Sequence, residues 1–131
     1  MMDAWVSLLP GAVNGDREFA CAARFFSADI LLESGTRQWL VRIRDGRVAA
    51  LLDAPRFDTP WDFALRAPED VWERFTRALP PPLFTDIWAM RMRVPEFHWE
   101  GNTMLAVRHA RAVARMTELL RVSREQCVGS R

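Results

Sequence analysis

The sequence predicts an α+β domain in which a five-stranded, mainly antiparallel sheet is covered by helices. Apolar and polar residues alternate at a period of two in several short segments, which is the pattern of half-buried strands. Apolar residues recur at helical spacing in the segments between and after these strands. The chain has 131 residues, half of them apolar, which is enough for one sizeable core. Residues 1–131 are therefore predicted to form a single domain.

The first 24 residues are predicted to be helical. A short helix over residues 3–9 is expected to end at Pro10-Gly11, because proline and glycine both interrupt helices. A second helix is predicted over residues 16–24, with Asn14 as its cap.

Four predicted strands follow this helical entry. The first three cover residues 25–33, 37–44 and 47–52, and the dipeptide Asp45-Gly46 is a strong signal for a hairpin between the second and the third. The fourth strand is the short segment 62–67, which follows a loop rich in turn residues.

A helix is predicted over residues 68–79. Pro68 suits a first helical position, the acidic residues after it complement the helix dipole, and Pro80-Pro81-Pro82 ends the helix. Its predicted buried stripe comprises Val71, Phe75, Ala78 and Leu79, with Trp72 beside it. A second amphipathic run, residues 83–92, offers an apolar face of Phe84, Ile87, Trp88 and Met92.

The last third of the chain predicts a strand and a long helix. Residues 96–100 alternate cleanly and form the fifth predicted strand. Gly101-Asn102 then turns the chain into the longest helix, residues 103–121, and residues 122–131 are expected to be a flexible polar tail.

Composition excludes several classes of function. The net charge is +1, so a nucleic-acid partner is not expected. The sequence has no lysine or tyrosine to serve as a catalytic nucleophile or acid, and no catalytic residue, metal ligand or cofactor is predicted. Cys21 and Cys127 have neither metal-binding spacing nor a dense disulfide pattern, which favours a reducing, cytoplasmic location. No segment approaches the ~20 apolar residues of a membrane span.

Three stretches together resemble the sterol carrier protein (type two) family of lipid-binding domains. They are residues 39–46, residues 62–72, where a strand runs into an acidic helix start, and residues 97–102 before the last helix. The similarity covers about residues 25–121, with departures at the proline triplet and in the connection 90–95. It implies non-covalent binding of sterols, fatty acids or acyl conjugates in a tunnel between sheet and helices.

An apolar ligand is therefore the expected partner, bound or transferred without covalent chemistry. Methionine and aromatic side chains suit adaptable, mostly apolar pockets, and several lie where the last strand and last two amphipathic segments meet. The expected lining is Phe84, Trp88, Met90, Met92, Phe97, Trp99, Met104, His109 and Met116. His109 lies in the apolar arc of the last helix, where it either meets the polar group of a ligand or is a satisfied core histidine.

Alternative interpretations stay open at this point. Glu96, His98 and Glu100 share a strand face, but neighbours on such a face are ~6–7 Å apart, too far for one metal chelate, so an exposed polar face is favoured. A cone-shaped isomerase or hydratase would pair His98 or His109 with a carboxylate. A structural subunit would use the spare aromatic residues in a homodimer interface. The arginines of the last helix, with Arg91 and Arg93, either face solvent or contact an anionic partner or membrane transiently.

Overall fold

The computed structural model describes residues 2–129, and the five predicted strands are present in it. The elements, in chain order, are α1 (Met2–Asn14), α2 (Arg17–Ala22), β1 (Ala28–Ser34), β2 (Arg37–Arg44), β3 (Arg47–Asp53), β4 (Phe63–Ala67), α3 (Glu69–Phe75), α4 (Ile87–Arg93), β5 (His98–Gly101), α5 (Thr103–Arg108) and α6 (Ala110–Gly129).

The strands form one sheet in the order β3-β2-β1-β4-β5. β1 and β4 are parallel, and the other three neighbouring pairs are antiparallel. The predicted fold class, an α+β structure with a mainly antiparallel five-stranded sheet, is therefore confirmed. Residues 54–62 connect β3 to β4, and Trp61 within this connection packs against Leu31 and Leu40 on the outer face of the sheet.

The inner face of the sheet forms the main core with the helices. Alternation along each strand sends its apolar side chains to this face, and α1 and α6 add Leu9, Val13, Met116 and Leu120 to the same cluster. The strand residues that carry the core are Ile30, Leu32, Trp39, Val41, Ile43, Phe63 and Leu65, all 2% exposed or less.

The first helix is longer than predicted, because it continues through Pro10 to Asn14. Leu9 and Val13 lie one turn apart and are 0% and 1% exposed, so the helix buries apolar side chains on both sides of the proline. Burying such side chains contributes about 1.5–3 kcal/mol each, which together outweighs the ~3 kcal/mol penalty of an interior proline.

The predicted cap of the second helix was wrong. Asn14 bonds instead to β3, donating to the Val48 carbonyl at 3.1 Å and accepting from the Val48 N–H at 2.8 Å. Asp16 caps α2, because its carboxylate accepts a hydrogen bond of 2.8 Å from the Phe19 N–H. A cap must directly precede the first residue of its helix, and Asn14 lies too far before the start of α2 at Arg17.

The third helix ends at Phe75, four residues before its predicted end at Leu79. Ala78 and Leu79, both predicted to be buried, are exposed, and Leu79 is 90% exposed. The Thr76 hydroxyl donates to the Trp72 carbonyl at 2.7 Å, and a residue before a proline avoids helical conformation. The helix therefore stops before the proline triplet.

The next two elements are also shifted. α4 begins at Ile87 and not at residue 83, because the Asp86 carboxylate caps it by accepting from the Trp88 N–H at 2.7 Å. β5 covers His98–Gly101, where the prediction was 96–100, because its pairing with β4 extends to Gly101.

The last predicted helix is two helices, broken at His109, and the second continues to Gly129. Within 122–129 the prediction of a tail was wrong, while residues 130–131 lie outside the described residues. Ser123 is fully buried, and Arg124 donates to the Glu73 carbonyl at 2.8 Å, so contacts with α3 support the extra turns. No helix between residues 2 and 129 has both the length and the apolar character needed to cross a membrane.

Candidate functional site

The nine predicted ligand residues lie on or beside α4, β5, α5 and α6. Phe84 precedes α4; Trp88, Met90 and Met92 are on α4; Phe97 and Trp99 are at β5; Met104 is on α5, His109 is between α5 and α6, and Met116 is on α6. The fold therefore brings these elements together, and three of the nine are aromatic residues in direct ring contact.

An aromatic cluster joins β4, α3, α4 and β5. The ring centroids of Trp88 and Trp99 are 4.7 Å apart, and Trp99 meets Phe97 edge-on at 6.1 Å. Phe97 in turn meets Trp72 edge-on at 5.7 Å, and Phe63 stacks on Trp99 at 6.2 Å. These separations are typical of favourable aromatic pairs. The five rings form a continuous apolar cluster between the sheet, α3 and α4.

Sequence reasoning missed two members of this cluster, Phe63 and Trp72. Phe63 alternates onto the inner face of β4, and the pairing of Leu65 with Trp99 places β4 beside β5. The alternation was visible in the sequence, but the neighbouring position of β5 was not, because it depends on strand order.

A hydrogen bond positions α4 against the start of α6. The indole Nε1 of Trp88 donates to the Ala110 carbonyl at 3.2 Å. The guanidinium of Arg91, one turn later on α4, lies 5.5 Å from the centre of the Trp99 ring. Trp99 Nε1 is buried and has no hydrogen-bond partner within the described part of the chain.

The predicted methionines divide between core and surface. Met90, Phe97 and Met116 are at most 4% exposed and belong to the main core. Met92 and Met104 are 82% and 65% exposed, so in this structure they lie at the surface of α4 and α5. Phe84, Trp88, Trp99 and His109 are half-buried.

His109 lies at the break between α5 and α6. Its backbone N–H is shared between the carbonyls of Leu105 and Ala106, both at 3.2 Å. Its ring packs against Phe26 with the centroids 4.6 Å apart. Within residues 2–129 the imidazole makes no hydrogen bond or ion pair with a carboxylate, so the acid–base pair of the isomerase alternative is not assembled there.

His98, the second histidine, lines an open groove of about 420 Å³ on the outer face of the sheet, with Glu33, Arg66 and Glu96. Arg66 bonds to Glu33 at 2.8 Å and to Glu100 at 3.0 Å, so both carboxylates are already paired. No three histidine, cysteine or acidic side chains among the described residues come together as metal ligands.

The main cavities and grooves along residues 2–129 lie away from the predicted lining. None of the nine residues contributes to their walls. The most enclosed one, about 30 Å³, lies between α1, β1 and α3 and is lined by Trp5, Ser34 and Trp72 among others. An apolar ligand at the aromatic cluster would therefore have to displace side chains or helices.

The five-stranded sheet packed with helices is similar in architecture to solved structures of sterol carrier proteins. A solved structure of sterol carrier protein 2 superposes with a TM-score of 0.71, over 90% of this chain and 94% of the other, at 15% identity. A conserved hypothetical protein from Thermus thermophilus, described as possibly a sterol carrier protein, superposes with a TM-score of 0.70. The match covers 92% of this chain and 87% of the other, at 14% identity. Sterol carrier protein 2 from Yarrowia lipolytica in its apo form gives 0.56 over 88% of each chain, at 13% identity.

The resemblance predicted from the sequence is thus confirmed at the level of the fold. No protein-family model matches the sequence, and no curated protein matches it. At these identities the superpositions establish a shared architecture.

Proposed function

We propose that this protein binds an apolar small molecule non-covalently, and holds or transfers it, in a site between the sheet and α4–α6. The ligand class is a sterol, a fatty acyl compound or a similar lipid. The observation that carries the proposal is the match of 90% of the chain to the fold of sterol carrier protein 2. Removing a ligand's apolar surface from water contributes about 25 cal/mol per Å², so an apolar site needs few polar contacts.

The aromatic cluster supports this location for the site. Its rings supply a continuous apolar wall, and Met90 and Met116 lie beside it in the same core. Thioether side chains adapt readily to different shapes. The proposed lining is the set of nine residues predicted from the sequence, with Met92 and Met104 at the mouth.

Short helices provide a route for opening. α4 has 7 residues and α5 has 6, so neither has the internal cooperativity of a long helix. A single residue, His109, separates α5 from α6, and the Trp88–Ala110 hydrogen bond links α4 to that point. We infer that α4 and α5 move apart from α6 to admit the ligand, so the pocket is small without ligand and larger with it.

Exposed arginines favour a transient contact with an anionic membrane during loading. Arg91 and Arg93 on α4 and Arg108 on α5 are exposed and make no ion pair within the described residues. Each arginine near an anionic bilayer contributes about 1 kcal/mol of attraction. The exposed Met92 lies between the two arginines of α4 and offers an apolar contact.

The proposal is tested by native mass spectrometry of the protein as purified, followed by denaturation and identification of any released molecule. Thermal unfolding with fatty acids, sterols and acyl thioesters then tests for stabilisation. We expect Trp88→Ala to weaken the binding of a stabilising ligand at least tenfold, because it removes part of the wall. Trp61→Ala, on the outer face of the sheet, is the matched control and should leave affinity unchanged.

Two results would contradict the proposal. One is the absence of any co-purified lipid together with no stabilisation by the panel. The other is equal loss of affinity in the Trp88 and Trp61 variants. A dimer mass without ligand in the same spectra would favour the structural homodimer instead.

A further inference from the structure

Trp99 differs from the two tryptophans that share its cluster. Trp72 Nε1 donates to the Glu33 carbonyl at 2.8 Å, and Trp88 Nε1 donates to the Ala110 carbonyl at 3.2 Å. Trp99 Nε1 is removed from solvent but has no acceptor within the described residues. Buried polar groups in native proteins are nearly always paired, and an exception calls for a water, an ion or a ligand.

The surroundings of the Trp99 ring explain why the protein supplies no acceptor. Its ring neighbours are Phe63, Trp88 and Phe97, none of which has a side-chain oxygen. Arg91 also lies over the Trp99 ring, with its guanidinium 5.5 Å from the ring centre. Arginine only donates hydrogen bonds, so it cannot accept from the indole.

Arg91 is itself without an anionic partner. It is exposed, and no carboxylate among residues 2–129 forms an ion pair with it. The guanidinium therefore lies over the ring that carries the unpaired indole N–H; both groups can donate, and neither is paired with an oxygen acceptor. A group that accepts hydrogen bonds and carries negative charge fits both.

We propose that Trp99 and Arg91 form the polar end of the lipid site and bind the carboxylate of a long-chain acid. This inference rests on the proposed function and narrows its ligand class. One carboxylate oxygen accepts from Trp99 Nε1, and the other pairs with the guanidinium, while the chain lies along the aromatic cluster. A sterol hydroxyl offers the indole an acceptor but offers Arg91 no charge, so the site selects acids over sterols.

The test uses the 131-residue chain, freed of lipid and labelled with ¹⁵N, and palmitate, hexadecanol and cholesterol as probes. The indole N–H signals of the six tryptophans are followed by NMR during each titration, and Trp99→Phe identifies the signal of interest. We expect palmitate to shift the Trp99 signal downfield as the hydrogen bond forms. Affinities are measured in parallel by calorimetry.

Variants separate the polar end from the rest of the site. Trp99→Phe keeps an aromatic ring but removes the N–H, and Arg91→Gln removes the charge. Each should weaken palmitate binding about tenfold or more, because a hydrogen bond to a charged group is lost, whereas Arg91→Gln should change hexadecanol binding by less than about threefold. Trp61→Phe, on the outer face of the sheet, and Arg47→Gln, an exposed arginine on β3, are the matched controls and should bind palmitate as the wild type does.

The outcomes distinguish the two proposals. If no probe binds, the proposed function itself fails. If palmitate binds while the Trp99 signal stays in place, or if Arg91→Gln and Arg47→Gln weaken palmitate binding equally, the proposed polar end is overturned and lipid binding stands. The affinities of the Arg91→Gln variant and its control decide the matter even if Trp99→Phe does not fold.

Discussion

Arg115 on α6 donates two hydrogen bonds of 2.9 Å to the carboxylate of Asp16, a residue 99 positions earlier in the chain. The same carboxylate caps α2 by accepting from the Phe19 N–H at 2.8 Å. Arg115 also meets Glu18 at 2.8 Å and Glu118 at 3.3 Å. One guanidinium therefore fastens α2 to the last helix.

Replacing Asp16 tests this connection. We expect Asp16→Ala to lower the free energy of unfolding by about 2–4 kcal/mol. The substitution removes a helix cap, which contributes ~1 kcal/mol, and charge-assisted hydrogen bonds, which contribute ~1.5–3 kcal/mol. Asp16→Asn keeps the cap and should cost about 1–3 kcal/mol. Urea denaturation measures both. Asp58→Asn is the control, because Asp58 meets Arg56 only at 3.5 Å in an exposed pair; a loss there as large as that of Asp16→Asn would contradict the argument.

The same pair predicts a dependence of stability on pH. The hydrogen bonds from Arg115 hold the pKa of Asp16 below its usual 3.8. The unfolded chain therefore binds a proton at a higher pH than the folded protein, so the stabilisation is complete above the unfolded pKa and is lost as pH falls through the folded pKa. The difference in unfolding free energy between wild type and Asp16→Asn should have its maximum value at about pH 6 and a smaller value at about pH 3.

Urea titrations at the two pH values measure this change. Glu73, whose pKa is also lowered by its hydrogen bonds with Arg77, is present in both proteins, so its contribution cancels in the difference. A difference that stays constant between the two pH values would show that the Asp16 charge is not involved.

Two glycines predict opposite effects of the same substitution. Gly46 has a φ of +76°, and a Cβ there would lie 2.8 Å from the Ala23 carbonyl oxygen. Gly46→Ala should therefore destabilise by about 1–3 kcal/mol. Gly11 lies inside α1 with nothing within 4 Å of its added Cβ, so Gly11→Ala should stabilise by about 0.5–1 kcal/mol. Thermal unfolding of the two variants decides the matter, and shifts of the same sign would contradict the prediction.

The strands could be predicted because alternation is visible without any partner. Trp39, Val41 and Ile43 mark the inner face of β2 as clearly in the sequence as in the structure. The strand order could not be predicted, because the same alternation serves parallel and antiparallel neighbours. That order places Phe63 against Trp99, which is why the predicted site lacked a ring that stacks on one of its members.

The break at His109 was beyond prediction for a different reason. No glycine or proline interrupts residues 103–121, and their apolar pattern suits one helix. The contacts at the break are tertiary: the His109 ring packs on Phe26, and the Ala110 carbonyl accepts from Trp88. Those contacts join segments that are far apart in the chain, so the helix propensity of residues 103–121 does not predict them.

Arg121 gives a prediction that links stability to the candidate site. Its guanidinium donates to the carbonyls of Phe75 at 2.7 Å, Phe84 at 3.1 Å and Thr85 at 2.9 Å, and it lies 4.4 Å from the Phe75 ring centre. Burial lowers the pKa of Arg121, as expected for a cation that is held by carbonyl groups without a bonded carboxylate. One side chain on α6 thus fixes the end of α3 and the segment that leads into α4.

Arg121→Ala should lower the free energy of unfolding by about 2–3 kcal/mol, because several carbonyls lose a charged donor at once. It should also loosen α4, so we expect faster hydrogen exchange of the Trp88 indole N–H. Amides in β1 and β2 should exchange faster only by the amount that the loss of global stability explains. Arg111→Ala, an exposed arginine on the same helix, is the control. Equal acceleration of the Trp88 indole in both variants would mean that α4 is held by contacts other than those of Arg121.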